Sequence, residues 1–146
     1  MNHYLDTSAL LKGYLEEPGS ETVRALLGAS GGVITSVLAY TEARAGLARQ
    51  ERERRLTDAE RRAALTDLER DWETWGCLDV TTPLAQEAGR LAEVHALSGA
   101  DAVHLASALI VREESGGATT FWSSDIRLAR AARREGLRIG NLGRAG

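Results

Sequence analysis

Apolar positions along the chain recur in two rhythms, and the alternation of those rhythms predicts the fold. Short apolar runs bounded by turn-forming residues read as strands: His3-Tyr4-Leu5, Val33-Ile34 behind Gly31-Gly32, Leu78-Asp79-Val80, Thr119-Thr120-Phe121-Trp122 and Leu137-Arg138-Ile139. Helical spacing fills the intervals. Asp6-Thr7-Ser8 ends the first strand and opens a helix, and Pro18-Gly19-Ser20 opens a second that runs through Val23, Leu26 and Leu27 to Gly28. A third is expected from about Ser36 past Arg49. A fourth spans about Asp58 to Trp75, where Leu65, Leu68, Trp72 and Trp75 form an apolar stripe that Gly76 ends. Pro83 suits the first turn of a helix carrying Leu84, Ala88, Leu91 and Ala92. The sharpest pattern follows Ser98-Gly99: Ala102, Leu105, Ala106, Leu109 and Ile110 fall on one helical face, closed by Gly116-Gly117. Ser123-Ser124-Asp125 starts a last, arginine-rich helix that stops at Gly136. Strands alternating with helices imply right-handed crossovers and a parallel sheet covered on both faces.

Composition narrows the class. The chain has 146 residues, 43% of them hydrophobic and 27% charged, which fits one folded unit over 1–146 with no internal boundary. Cys77 is the lone cysteine, which excludes an internal disulfide framework and a thiolate zinc site; beside Leu78 it reads as a small buried side chain. His3, His95 and His104 lack metal-binding spacing. The longest apolar stretch, Leu105 to Val111, is interrupted by Ser107 and falls far short of the ~20 residues of a membrane span. A charge as early as Asp6 is incompatible with a signal peptide, so a cytoplasmic protein is expected. The net charge of −3 hides an uneven distribution: of 18 basic residues only Lys12 is not arginine. Arg44 to Arg62 holds seven arginines and four acids, and Arg127 to Arg138 holds five arginines and one acid, Glu135. Such faces either carry ion pairs one helical turn apart or hold phosphates.

Four carboxylates stand out. In an open parallel sheet ligands gather at the carboxyl edge, where strands end and helices begin. Asp6, Asp101 and Asp125 are expected there. Each also has a purely structural use: Asp6 as a helix N-cap, Asp101 in a Ser98-x-x-Asp101 capping box, Asp125 as a first-turn acid facing the helix dipole. Glu42 has none; it lies inside a helix on a face of small apolar residues and needs a partner. Acids projecting from one sheet edge repel one another unless a cation lies between them, and oxygen donors suit Mg²⁺ or Mn²⁺.

The segments Tyr4-Leu5-Asp6-Thr7-Ser8-Ala9-Leu10, the Glu42 helix, Asp101-Ala102-Val103-His104-Leu105-Ala106-Ser107-Ala108 and Ser123-Ser124-Asp125-Ile126-Arg127-Leu128 resemble, in order, the four motifs of PIN-domain ribonucleases. The length resembles the VapC toxins of type II toxin–antitoxin systems. The resemblance implies an α/β fold, a PIN-like three-layer α/β/α sandwich with a central parallel sheet of four to five short strands. It also implies an Mg²⁺- or Mn²⁺-dependent endoribonuclease leaving a 5′-phosphate and a 3′-hydroxyl. Asp6, Glu42, Asp101 and Asp125 carry over as catalytic and metal-site residues, with Thr7, Ser8 and Ser123 as polar support. His104 is read as packing within its helix. Arg49, Arg52, Arg54, Arg55, Arg61 and Arg62 are the expected RNA-binding flank. The implied partners are RNA, a second copy of the chain and an antitoxin, whose amphipathic segment would lie near Leu10, Leu11 and Leu15 unless those leucines are core. Neither a dehalogenase-type phosphatase nor a response-regulator receiver fits, because no lysine follows Lys12. A catalytically silent PIN-fold adaptor or RNA-binding protein is the alternative.

Overall fold

The structure, a computed structural model, describes residues 1–29 and 31–143. Five parallel strands form one sheet: β1 (Asn2–Leu5), β2 (Val33–Ser36), β3 (Gly76–Leu78), β4 (Thr119–Trp122) and β5 (Arg138–Ile139), in the order β3-β2-β1-β4-β5. Between them run α1 (Thr7–Leu11), α2 (Ser20–Gly28), α3 (Leu38–Arg52), α4 (Asp58–Trp72), α5 (Thr82–His95), α6 (Gly99–Glu114) and α7 (Ile126–Arg134). The order of strands reverses between β1 and β4. Connections that leave these two neighbours go to opposite sides, which opens a crevice at their carboxyl ends.

Side-chain alternation along β1 and β4 splits the core into two layers. Tyr4 pairs with Phe121 and their rings stack at 5.7 Å on one face, against buried residues of α5, α6 and α7. Leu5 and its partner Trp122 point to the other face, against α1, α3 and α4. Leu10 and Leu15 are buried in that second layer, and Leu11 packs against it beside Gly46 of α3. These leucines are therefore core, and an antitoxin segment cannot lie along Leu10 and Leu15.

Three local expectations need correction. The fourth helix ends at Trp72, not Trp75: the Thr74 and Trp75 amides bond back to Asp71 and Trp72 in a tighter final turn. The stripe outlives the helix because Trp72 and Trp75 stay in edge-to-face contact at 5.8 Å. The third strand is Gly76–Leu78, two residues earlier than the Leu78–Val80 run. Gly76 is not a helix stop but the first strand residue, opposite Ile34, whose side chain a Cβ there would meet at 3.2 Å. Finally, Cys77 is exposed, because this short edge strand has a partner on one side only. Among the described residues no single helix is long and apolar enough to cross a membrane.

Candidate active site

Asp6 follows β1 and Ser123 follows β4, so the crevice is bounded by these two turns. Asp6 is buried, 3% exposed. It caps α1, its Oδ1 accepting the Ala9 amide at 2.9 Å and the Ser8 hydroxyl at 2.7 Å, while Oδ2 accepts the Ser123 hydroxyl at 2.6 Å. Ser123 in turn accepts the Asp125 amide at 3.0 Å, and Ser8 accepts the Ser124 amide at 3.0 Å. The serines thus tie the two strand ends together across the crevice. Burial raises the Asp6 carboxyl pKa, against the downward pull of His104, the two serines and the Ala9 amide.

Asp101 lies close enough to Asp125 and Asp6 to feel both charges. Asp125 caps α7 through the Leu128 amide and is exposed. Ser98 caps α6, accepting the Asp101 amide at 3.2 Å, but the reciprocal bond that would complete the capping box is not formed. The Asp101 carboxylate therefore does not return to the Ser98 amide. Partial burial raises its pKa, as does repulsion from Asp125 and then Asp6, although the Ser98 side chain draws it down. Three aspartates from three elements share one field.

Glu42 of α3 finds the partner that its position demands. Its Oε1 accepts the Thr7 hydroxyl at 2.6 Å and meets His104 Nε2 at 2.8 Å. Burial alone would raise its pKa, but these bonds and the His104 charge take it below the usual carboxylate range. His104, on α6, is 2% exposed. A carboxylate only accepts, so Nε2 donates toward Glu42, while Nδ1 lies 2.8 Å from the Tyr4 hydroxyl. Tyr4, fully buried, has its pKa driven well above the ordinary value, chiefly by desolvation, and stays a donor. Tyr4 and His104 are the residues that sequence reasoning left out. The available signal was spacing: His104 lies three positions after Asp101 on α6, hence on the same helical face.

The expected RNA-binding arginines are elsewhere, at the far end of α3 and the start of α4. Arg49 and Arg55 pair with Glu53, Arg61 with Glu51 and Asp58, and Arg62 with Asp58. Arg52 and Arg54 form no ion pair among the described residues. Between α3 and α4 lies an apolar groove of about 440 Å³, floored by Leu47 and walled by Tyr40, Ala45 and Leu65.

Comparison with known proteins agrees with this geometry. The PIN domain family profile matches residues 3–134. The chain belongs to the PIN-domain family. It is 43% identical over 140 residues to Ribonuclease VapC45 and to Ribonuclease VapC49, both of Mycobacterium tuberculosis, covering 93% of this chain and 92% of each relative. The resemblance is that of a VapC-type PIN protein. Among solved structures, FitAcB from Neisseria gonorrhoeae superposes with a TM-score of 0.67 at 20% identity, over 96% of this chain and 97% of that one. VapBC2 from Rickettsia felis, bound to a promoter DNA fragment, gives 0.63 at 14% identity, over 97% and 98%. The expected α/β/α sandwich around a parallel sheet is thus the fold observed.

The PIN-domain acids fit a hard divalent cation in donor chemistry: every donor is an oxygen, and the charges of Asp125 and Asp6 bear on Asp101. Among the described residues no group of three or more histidine, cysteine, aspartate or glutamate side chains is already gathered tightly enough to enclose an ion. Asp6 is held by Ser8 and Ser123, Asp125 by its cap, and Glu42 by Thr7 and His104.

Proposed function

We propose that this PIN domain is the toxin of a toxin–antitoxin pair, an Mg²⁺- or Mn²⁺-dependent endoribonuclease acting in the cytoplasm. The observation that carries the reading is the meeting at the β1/β4 crevice of Asp6 and Asp125, which follow neighbouring strands, with Asp101 of α6, whose carboxyl pKa is raised by burial and then by the charges of Asp125 and Asp6. A protein that kept the fold for binding alone has no need of that unfavourable crowding, which a bound cation relieves. Asp6, Asp101 and Asp125 would hold the ion, with Glu42 as the fourth carboxylate. When bound, it would neutralise phosphate charge and make water a competent nucleophile near neutral pH.

The chain's own residues supply orientation. Ser8 and Ser123 fix both oxygens of Asp6, and Thr7 and His104 fix Glu42 in its ionised form. Water adds to phosphorus, the bond from phosphorus to the 3′ oxygen breaks, and that oxygen takes up a proton, leaving a 3′-hydroxyl and a 5′-phosphate. The names of the two Mycobacterium relatives support the ribonuclease half of the reading, and the VapBC structural neighbour supports the antitoxin half. An arginine supplied by such a partner would match the carboxylates bidentately and compete with the cation. A homodimer is part of the same reading.

The test is cleavage of end-labelled RNA. Excess chelator should abolish it, added Mg²⁺ or Mn²⁺ should restore it, and the new 5′ ends should be substrates for a 5′-phosphate-dependent exonuclease. Cleavage that persists in chelator, or products ending in 2′,3′-cyclic phosphate, contradicts the mechanism.

A further inference from the structure

A second cleft meets the acid cluster at Ser123. It encloses about 780 Å³ between α7 and the segment after β5, with Lys12 and Pro18 at one end. From α7 it is lined by Ile126, Ala129, Arg130 and Arg133, one face of the helix. Ser123 belongs to both features, since its hydroxyl on the cleft wall is the one that donates to Asp6. The cleft therefore adjoins the candidate active site, one side chain away from Asp6.

Its charge is uncompensated. The one acid of the Arg127 to Arg138 segment, Glu135, is turned to α5, where its Oε2 meets His95 Nε2 at 2.9 Å. Among the described residues neither Arg130 nor Arg133 has an ion-pair partner, and both are exposed. Lys12 is occupied, donating to the Pro18 carbonyl at 2.8 Å and to Glu17 at 3.2 Å. The two arginines are thus the free cations of the cleft among the described residues. The arginines of α3 and α4, by contrast, are largely committed to neighbouring acids.

We infer that this cleft is the track for the backbone phosphates of single-stranded RNA flanking the cleaved bond, with Arg130 and Arg133 each holding a phosphate. The inference rests on the ribonuclease reading and adds the path of its substrate. Three carboxylates repel an approaching polyanion, so neighbouring phosphates need cations close to the site. At about 1.5 Å per residue, Arg130 and Arg133 stand roughly 7 and 12 Å along α7 from Asp125, the reach of the adjoining nucleotides. A planar guanidinium grips a phosphate through two parallel hydrogen bonds. Ile126, half exposed at the mouth, offers an apolar surface to a base. Readout of this kind contacts backbone and one base face, so it favours RNA with little sequence preference along the track.

Binding of fluorescein-labelled oligouridine, followed by anisotropy in chelator so that no strand is cut, tests this apart from catalysis. R130Q with R133Q should weaken binding about tenfold and flatten the dependence of log Kd on log salt by about 1.4, two contacts at ~0.7 each. R130K with R133K should keep the slope, and thermal melting should show both variants folded. Loss of two charges on the other side, R49Q with R62Q, should cost less. An unchanged slope in R130Q/R133Q overturns the track, as does an equal or larger loss in R49Q/R62Q. Tighter binding of polyglutamate than of oligouridine would assign the cleft to an acidic protein segment instead and equally overturn it. Failure of the ribonuclease reading is seen separately: oligouridine would bind through the cleft, yet no RNA would be cut when Mg²⁺ is restored.

Discussion

Asp6 and Asp101 on one hand and Glu42 on the other respond to the fold with opposite signs, and this separates their roles by titration. The folded pKa of both aspartates is raised. In acid, below the ordinary aspartate value, they are protonated in both folded and unfolded chains and cost nothing. As pH rises through that value toward the raised one, the unfolded chain ionises first and the folded state loses stability. Asn reproduces the neutral carboxyl, and at position 6 it can still cap α1, so Asp6→Asn and Asp101→Asn should each melt higher than wild type at neutral pH in chelator, with the gain vanishing in acid. Glu42 has a lowered pKa, so its stabilisation is present at neutral pH and is lost as pH falls through the folded value. Glu42→Gln should melt lower at neutral pH; a rise there would contradict the Thr7 and His104 bonds as the source of its ionisation. His104→Ala leaves the buried Tyr4 hydroxyl without its His104 partner, at a cost of about 1–3 kcal/mol in denaturant unfolding. It should also lower the cleavage rate by about 10- to 100-fold, as loss of a residue that orients a metal-site carboxylate does.

Most elements were legible from rhythm alone, and the exceptions have physical causes. The helix before β3 was read too long because its apolar stripe continues into a turn, held by the contact of Trp72 with Trp75. A glycine after a helical stripe usually marks a stop, whereas here Gly76 lets the strand approach Ile34. Short strands of two to four residues give too few positions for period-two alternation to fix a boundary. Another glycine whose reason appears only in three dimensions is Gly140, just past β5. A Cβ there would fall 2.3 Å from the ring of Trp122, whose Nε1 donates to His3 Nδ1 at 3.1 Å. The ring cannot retreat without losing that bond, so Gly140→Ala should destabilise the protein by about 1–3 kcal/mol and shift its tryptophan emission. A variant with wild-type melting and emission would show that β5 and its following segment yield instead.

At the scale of the whole molecule, the four acids were visible in the sequence but their relations were not. Asp6 and Asp125 reach one edge because β1 and β4 are neighbours at the reversal of strand order, Glu42 is tied to that edge through Thr7 and His104, and Asp101 lies within reach of the Asp125 and Asp6 charges. Counting charges pointed to the longer arginine-rich segment around α3 and α4. It could not show that acids within reach pair with most of those arginines, or that Glu135 turns away from the arginines of α7. Likewise His104 looked like core packing, and it is buried, but it is buried against Glu42. If Asp6, Asp101 and Asp125 share one divalent cation, its binding relieves the charge that Asp125 and Asp6 impose on Asp101. Calorimetric titration of Mn²⁺ into wild type and Asp101→Asn measures this directly. Saturable binding by wild type, weakened at least about tenfold in Asp101→Asn, is the predicted result; equal Mn²⁺ affinity in the two proteins would contradict it.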